Sequence, residues 1–240
     1  PVNAIDQNIR AGLKNAFESI NADTNLKAVI LRCAGRTFMA GADIKEFDAP
    51  IAEPGYHEVF ETIENSAKLV VAAMHGTALG AGLEAALACH YRCASTDARM
   101  GLPEVSLGIL PAAGGSQRLP RLIGAKAAVE MILGITPVSA SKAHELGLLD
   151  HMINGDLYEG AQDYVRDLLA RGIGPRKVSE MEANTDGYDE AFLAEARKAS
   201  ARSSRGQNAP ELVIEAINNA VNLPFKEGIR KERIAGEQSL

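Results

Sequence analysis

The stretch LVVAAMHGTALGAGLEAALACHYRCAS, residues 69–95, is the part of the sequence that best indicates the fold class of this chain. It opens with the apolar run Leu69–Met74 and ends with Tyr91–Ser95, and both runs have the length and composition of buried strands. Between them, residues 75–82 contain three glycines and are predicted to form a loop, and Gly82–His90 is predicted to form a helix. Strands that alternate with helices in this way predict an α/β fold in which helices cover a sheet.

The pattern extends in both directions from this stretch. On the N-terminal side, apolar residues from Ile5 to Ile20 recur every three or four positions and predict an amphipathic helix, and Ala28–Leu31 reads as a buried strand. A glycine-rich loop over residues 33–43 and a helix over residues 56–68 follow. On the C-terminal side, residues 99–110 are predicted to be extended and interrupted by Pro103. Further helices are predicted at Ala125–Leu133, Ser139–Leu146, Leu157–Leu169, Glu190–Ser203 and Glu211–Asn222.

The polar segment 171–189 contains Gly172, Gly174, Pro175 and Gly187 and is predicted to be a linker. We therefore predict two parts, an α/β core over residues 1–172 and a helical C-terminal region over residues 173–240, whose helices serve either trimerisation or linkage to a further domain.

Composition excludes several classes of function. The net charge of −6 and the pI near 5.5 do not fit a nucleic-acid or membrane-surface partner, and the absence of Trp removes the best base-stacking side chain. No apolar run approaches the roughly 20 residues that span a bilayer, so we expect no membrane segment. Three cysteines form no disulfide framework, which predicts a cytoplasmic or organelle-matrix protein that is not secreted. Cys89 and Cys93 flank His90 without a zinc-type spacing, so we predict buried thiols and no metal.

Two isolated carboxylates are the candidate catalytic groups. Glu84 is the only charged residue in the apolar segment 81–88, and Glu104 is the only charge between Arg99 and Arg118. A lone Glu is usually solvated at the surface, but burial would raise its pKa and suit it to proton transfer. Spacing alone does not bring two acids into one cleft.

Glycines flank the first of these acids. Gly80-Ala81-Gly82 enters a helix, where a backbone N–H can stabilise a developing oxyanion, although small residues there also serve close packing. The same segment matches the dinucleotide pattern G-x-G-x-x-A, which leaves a nicotinamide-dependent oxidoreductase as a weaker alternative. It is weaker because loop residues separate Gly80 from the strand that ends near Met74.

The motifs 38–46, 76–84 and 103–119 resemble those of the crotonase (enoyl-CoA hydratase/isomerase) superfamily, and residues 209–211 and 223–229 resemble the segment leaving the hydratase/isomerase half of multifunctional β-oxidation enzymes. The resemblance implies a crotonase-type ββα spiral core with a C-terminal helical region. It implies hydration of trans-2-enoyl-CoA in fatty-acid β-oxidation, or alternatively Δ3,Δ2-enoyl-CoA isomerisation through Glu104.

By the same resemblance, one of Glu84 and Glu104 activates the water and the other protonates Cα, and the N–H groups of Ala42 and Ala81 form the oxyanion hole. No metal or cofactor is implied beyond the coenzyme A of the substrate. The chain is expected to form a homotrimer or hexamer, or to be fused to a 3-hydroxyacyl-CoA dehydrogenase half. The implied acyl-CoA-binding residues are Arg36, Ala40, Ala42, Asp43, Ile44, Lys45, Gly80 and Gly108.

Overall fold

The computed structural model of the chain describes residues 2–47, 50–203 and 208–239. Seven strands are described: β1 (Ala28–Leu31), β2 (Leu69–Met74), β3 (Thr77–Leu79), β4 (Tyr91–Ser95), β5 (Arg99–Gly101), β6 (Val138–Ser139) and β7 (His151–Ile153). The described helices of the first part are α1 (Gln7–Ala22), α2 (Tyr56–Glu64), α3 (Ala81–Ala88), α4 (Gly115–Ile123), α5 (Ala125–Leu133), α6 (Ala140–Leu146) and α7 (Leu157–Ala170). They are followed by α8 (Glu190–Ser203), α9 (Ala209–Asn222) and α10 (Phe225–Ser239), and single 3-10 turns lie at Ile44–Glu46, Glu104–Leu107 and Val178–Glu180.

The strands form two sheets. One has the order β1-β2-β4-β7 with every pair parallel, and the other has the order β3-β5-β6, in which β3 and β5 are parallel and β5 and β6 antiparallel. The chain therefore winds as a spiral: β2, β3 and α3 form one turn, and β4, β5 and α4 form the next. This is the predicted ββα arrangement, with helices following each pair of strands.

The centre of the core is β2, whose six residues are all buried. A strand buried on both faces needs apolar side chains at every position, which explains its unbroken run of Leu, Val, Ala and Met. Each fully buried Leu or Val contributes roughly 1.5–3 kcal/mol relative to an exposed one. Helix α3 is also buried along its whole length, so Glu84 lies on an element surrounded by the core.

Three parts of the predicted secondary structure are wrong. Residues 75–82 do not form one continuous loop, because β3 lies between Gly76 and Gly80 and pairs with β5. The two glycines have φ of 58° and 52° and mark the ends of this short strand. Residues 99–110 are extended only as far as Gly101, and a 3-10 turn begins at Glu104. The helix predicted over residues 56–68 ends earlier, at Glu64.

The C-terminal helices lie against the core. Helix α9 packs on α4 and α5, and α10 packs on α4 and α9. The division into parts at residues 172 and 173 stays a prediction. No helix in the described part of the chain has both the length and the apolar composition needed to cross a bilayer.

Candidate active site

The two candidate acids lie at one edge of the smaller sheet. Strands β3 and β5 are parallel, so their carboxyl ends meet at the same edge, where the Gly80 N–H donates to the Gly101 carbonyl at 2.9 Å. Glu84 follows β3 in the first turn of α3, and Glu104 begins the 3-10 turn that follows β5. The parallel pairing therefore brings together two residues that are twenty positions apart in sequence.

Glu84 is a buried carboxylate with two backbone partners. Its side chain is 2% exposed, and its Oε1 accepts hydrogen bonds from the N–H groups of Ala113 at 2.8 Å and Gly115 at 2.7 Å. Burial raises the pKa of Glu84 to about 7, and the two N–H donors and the Arg118 charge limit that rise. Near neutral pH the residue is present in both its base and its acid form.

Glu104 has a different environment. Its Oε2 is buried and has no hydrogen-bond partner within the described residues, and its Oε1 lies beside the backbone of Gly80. Burial raises the pKa of Glu104 well above its usual value, and the nearby charge of Glu84 raises it further. The surroundings of the two acids thus differ, because Glu84 accepts two hydrogen bonds that oppose the rise of its pKa, whereas Glu104 lies beside the charge of Glu84. Unequal environments of this kind are expected of an acid–base pair.

Two backbone N–H groups at the same place have no acceptor among the described residues. The Ile5 N–H donates to the Gly41 carbonyl at 2.8 Å, and the Ile5 carbonyl accepts from the Asp43 N–H at 3.2 Å. Ala42 lies between these two residues, so its N–H is directed away from Ile5. Ala81 is the first residue of α3, where the N–H has no partner in the helix. Gly80, with φ 52° and ψ −130°, makes the sharp turn that aims this N–H outward.

The segment that carries Ala42 runs beside β3. A parallel bridge joins Met39 to Ala78, and the Leu79 N–H donates to the Met39 carbonyl at 3.0 Å. A Cβ placed on Gly80 would lie 3.7 Å from the Gly41 Cα, so the two backbones are in close contact. The free N–H groups of Ala42 and Ala81 thus belong to adjacent segments, as an oxyanion hole requires.

Both acids and both N–H residues line one cavity of about 850 Å³. This is large enough for a drug-sized ligand or an extended thioester. Its apolar wall is formed by Ile44, Phe47, Pro50, Ile51, Leu79, Leu107, Ile109 and Leu110. The cavity also has a polar side, which is formed by Glu53, His57, Glu58, Arg233 and Glu237.

Four of the eight predicted binding residues line the cavity, and the other four do not. Ala40, Ala42, Ile44 and Gly80 line the cavity, whereas Arg36, Asp43, Lys45 and Gly108 lie outside its lining. Arg36 and Lys45 are exposed, the Asp43 carboxylate accepts from the Lys45 N–H at 3.1 Å, and Gly108 ends the 3-10 turn with φ 82°. The binding and catalytic roles of all these residues stay predictions.

Sequence reasoning missed one side of the site. Helix α10 was not predicted, yet Arg233, Gly236, Glu237 and Ser239 of this helix line the cavity. A third buried acid, Glu232, lies on the same helix and is 1% exposed. The sequence signal for this helix is the spacing of Gly228, Glu232 and Gly236, which recur at every fourth position. This spacing places the three residues on one helix face, where the small glycines permit close packing and surround an acid.

His90 and the two neighbouring cysteines have the predicted structural roles. The His90 Nδ1 accepts from the Val70 N–H and its Nε2 contacts the Glu64 carbonyl, both at 3.0 Å, while Cys89 and Cys93 are buried free thiols. Within the described residues, no group of three or more His, Cys, Asp and Glu side chains is arranged to hold a metal ion.

The dinucleotide alternative does not fit the geometry at Gly80 and Gly82. These glycines follow β3 of the smaller sheet and not the long buried strand β2. A Cβ at Gly82 would overlap the Met39 backbone, so this position serves packing against the segment that carries Ala42.

The spiral fold and a cavity with two acids and two free N–H groups define a class of acid–base enzymes that stabilise an oxyanion. The Enoyl-CoA hydratase/isomerase family matches this chain over residues 1–170. The chain belongs to this family.

Individual relatives agree with the family. The chain is 38% identical to the peroxisomal bifunctional enzyme of Cavia porcellus over 97% of its own length and 32% of that protein's length. It is 43% identical to a probable enoyl-CoA hydratase of Bacillus subtilis, with 62% of this chain and 60% of that protein covered. The chain thus spans about a third of the bifunctional relatives it matches.

Solved structures show the same fold. An enoyl-CoA hydratase from Bacillus anthracis is 31% identical with a TM-score of 0.60, covering 98% of this chain and 81% of that one. Pseudomonas aeruginosa DspI is 29% identical with a TM-score of 0.65, covering 96% of this chain and 86% of that one.

Proposed function

We propose that the chain adds water across the C2=C3 double bond of trans-2-enoyl-CoA thioesters, giving 3-hydroxyacyl-CoA in fatty-acid β-oxidation. The observation that carries this proposal is the meeting of two buried glutamates in unequal environments beside two unpaired N–H groups. The relatives include a probable enoyl-CoA hydratase of Bacillus subtilis, and a peroxisomal fatty acid beta-oxidation multifunctional protein of Arabidopsis thaliana supplies the link to β-oxidation by analogy.

The unequal environments support a division of labour between the acids. Glu84, with a pKa of about 7, supplies the carboxylate that takes a proton from water, and the resulting hydroxide bonds to C3. The electrons of the double bond move toward the thioester, where the Ala42 and Ala81 N–H groups stabilise the enolate oxygen. Glu104, whose pKa is raised well above its usual value by burial and by the charge of Glu84, acts as the acid that delivers a proton to C2.

The atoms balance within this scheme. The water contributes OH to C3 and a proton to Glu84, and Glu104 contributes the proton on C2. The pair then exchanges one proton with solvent to return to its starting state. No electron is gained or lost, so the reaction needs no redox cofactor, and because the two N–H groups stabilise the enolate oxygen we propose that it needs no metal either.

The lining of the cavity supports an acyl-CoA substrate. Ala40, Ala42, Ile44 and Gly80 border the side where the thioester meets the two N–H groups, and the apolar wall suits a hydrocarbon chain. For assembly, the bifunctional relatives favour fusion to a 3-hydroxyacyl-CoA dehydrogenase half over a separate trimer or hexamer. A soluble compartment such as a cytoplasm or an organelle matrix suits such an enzyme.

The proposal is tested with purified protein and a 2-enoyl-CoA, by following the loss of the ultraviolet absorbance of the conjugated thioester. Glu84→Gln and Glu104→Gln should each lower kcat by roughly 10²–10⁴-fold while coenzyme A binding is retained. Glu130→Gln is the matched control, because Glu130 is exposed on α5 outside the cavity. Near-normal turnover in either site variant would refute the assigned role.

The isomerase alternative is separated by a second substrate. A 3-enoyl-CoA gains absorbance when its double bond moves into conjugation, and this reaction needs only one acid to carry the proton. If Glu84→Gln abolishes hydration but leaves this gain, Glu104 alone supports isomerisation.

A further inference from the structure

The third buried acid, Glu232, lies on the opposite side of the turn that holds Glu84. The N–H groups of Ala113 and Gly115 donate to Glu84, and the intervening N–H of Gly114 donates to the Glu232 Oε1 at 2.7 Å. The Ser116 hydroxyl hydrogen-bonds the Glu232 Oε2. Three consecutive N–H groups therefore alternate between two carboxyl groups, so the position of one acid depends on the other.

The turn is tightly packed at Gly114, whose carbonyl accepts from the Arg118 N–H at 2.8 Å. Gly114 has φ 103°, a conformation that L side chains rarely adopt, and its N–H points into the protein. A Cβ at Gly236 would overlap Ala112, and a Cβ at Gly228 would overlap Gln117, so α10 lies directly against the turn. Glu232 projects from this helix between its two glycines.

We propose that Glu232 is a positioning residue that clamps residues 113–116 from α10, so that the Ala113 and Gly115 N–H groups hold Glu84 for catalysis. This inference rests on the proposed hydration. Through this clamp α10 affects the reaction, although none of its side chains is proposed to contact the reacting atoms.

The charge state of Glu232 is compatible with this role. Burial and the charge of Glu84 raise the pKa of Glu232 to about 8, against the hydrogen bonds from Ser116 and Gly114, which lower it. At neutral pH the carboxyl is mostly protonated and adds little negative charge beside Glu84. A glutamine can reproduce this form, because its carbonyl accepts from Gly114 and its amide group meets the Ser116 hydroxyl.

The test compares Glu232→Ala with Glu232→Gln, and uses Glu227→Ala as the control because Glu227 is an exposed acid on the same helix. For Glu232→Ala we expect kcat for a 2-enoyl-CoA to fall by about 10–100-fold, with KM within about twofold, because displaced catalytic groups slow the reaction without weakening remote substrate contacts. Glu232→Gln should stay within about threefold of the wild type, and Glu227→Ala should be unchanged. Wild-type kcat in folded Glu232→Ala, or equal losses in the two Glu232 variants, would overturn the proposal.

A second readout does not depend on activity. Hydrogen exchange of the amides in residues 113–115 should be at least about tenfold faster in Glu232→Ala than in the wild type, and near wild type in Glu232→Gln. If Glu232→Ala does not fold, Ser116→Ala removes one of the two contacts and should also speed this exchange. Unchanged exchange in the folded variants would refute the clamp. Absence of hydration by the wild type would refute the proposed function, and the exchange rates would still decide the clamp.

Discussion

Replacement of Gly80 by alanine tests whether the fold and the reaction require the Glu104 carboxyl to lie directly against the Gly80 backbone. A Cβ at Gly80 would lie 2.5 Å from the Glu104 Oε1 and 3.3 Å from its Cδ. The φ of 52° with ψ of −130° is also a glycine conformation. Backbone strain of this kind costs roughly 1–3 kcal/mol, and an extra methyl in a packed site costs about 1–3 kcal/mol more. We expect Gly80→Ala to destabilise the fold by roughly 2–6 kcal/mol, which lowers the Tm by about 4–24 °C at about 2–4 °C per kcal/mol for a chain of this size.

The same methyl group should displace the Glu104 carboxyl from C2 of the substrate. A displacement of about 1 Å can cost roughly 10²-fold in rate, so kcat for hydration should fall by about that factor below the Tm of the variant. The assay is the absorbance of the enoyl thioester together with a thermal melt. Gly12→Ala is the matched control, because Gly12 lies within α1 and a Cβ there meets nothing within 4 Å. Wild-type kcat and Tm in Gly80→Ala would refute the geometry of the site.

Three further predictions concern charge. The kcat/KM for hydration should rise about tenfold per pH unit up to pH ~7 and then level off as Glu84 ionises, and a flat profile below pH 7 would contradict its role as the base. Arg118→Met should cost about 3–5 kcal/mol in denaturant unfolding, because it leaves Glu64 buried without the cation 2.7 Å away, whereas Lys142→Met in an exposed pair should cost under about 1 kcal/mol. Burial and nearby arginines lower the pKa of His57 from 6.5 to about 4. Below pH 6.5 His57 is therefore protonated in the unfolded chain but still neutral in the folded one. Stability should therefore fall by up to about 3 kcal/mol between pH 6.5 and pH 4, and less in His57→Leu.

Much of the larger sheet could be predicted from the sequence because its strands are buried on both faces. Ala28–Leu31, Leu69–Met74 and Tyr91–Ser95 were predicted with the bounds that the structure has. Unbroken apolar runs of this length leave few alternatives. The family resemblance, which rests on motifs in the same part of the chain, is likewise confirmed by the comparison over residues 1–170.

The smaller sheet and the last helix were harder to predict, for different reasons. Strand β3 has three residues between two glycines, and its stability comes from pairing with β5 and the bridge to Met39, which are contacts distant in sequence. Helix α10 is largely polar, and its buried face is made of Gly228, Glu232 and Gly236. Hydrophobic periodicity does not detect such a face, because its packing depends on small residues and hydrogen bonds.

The proposed division of roles between the two glutamates depends on the backbone around them more than on the residues themselves. Burial raises the pKa of both carboxyl groups and so disfavours the carboxylate form that a base requires. Glu84 accepts two hydrogen bonds from the N–H groups of Ala113 and Gly115, and these donors oppose the rise of its pKa. Because Glu232 holds the N–H between them, a helix that adds no catalytic group contributes to keeping one acid ionisable at neutral pH. The turn at residues 113–115 is therefore the element that makes a base from one of two buried acids.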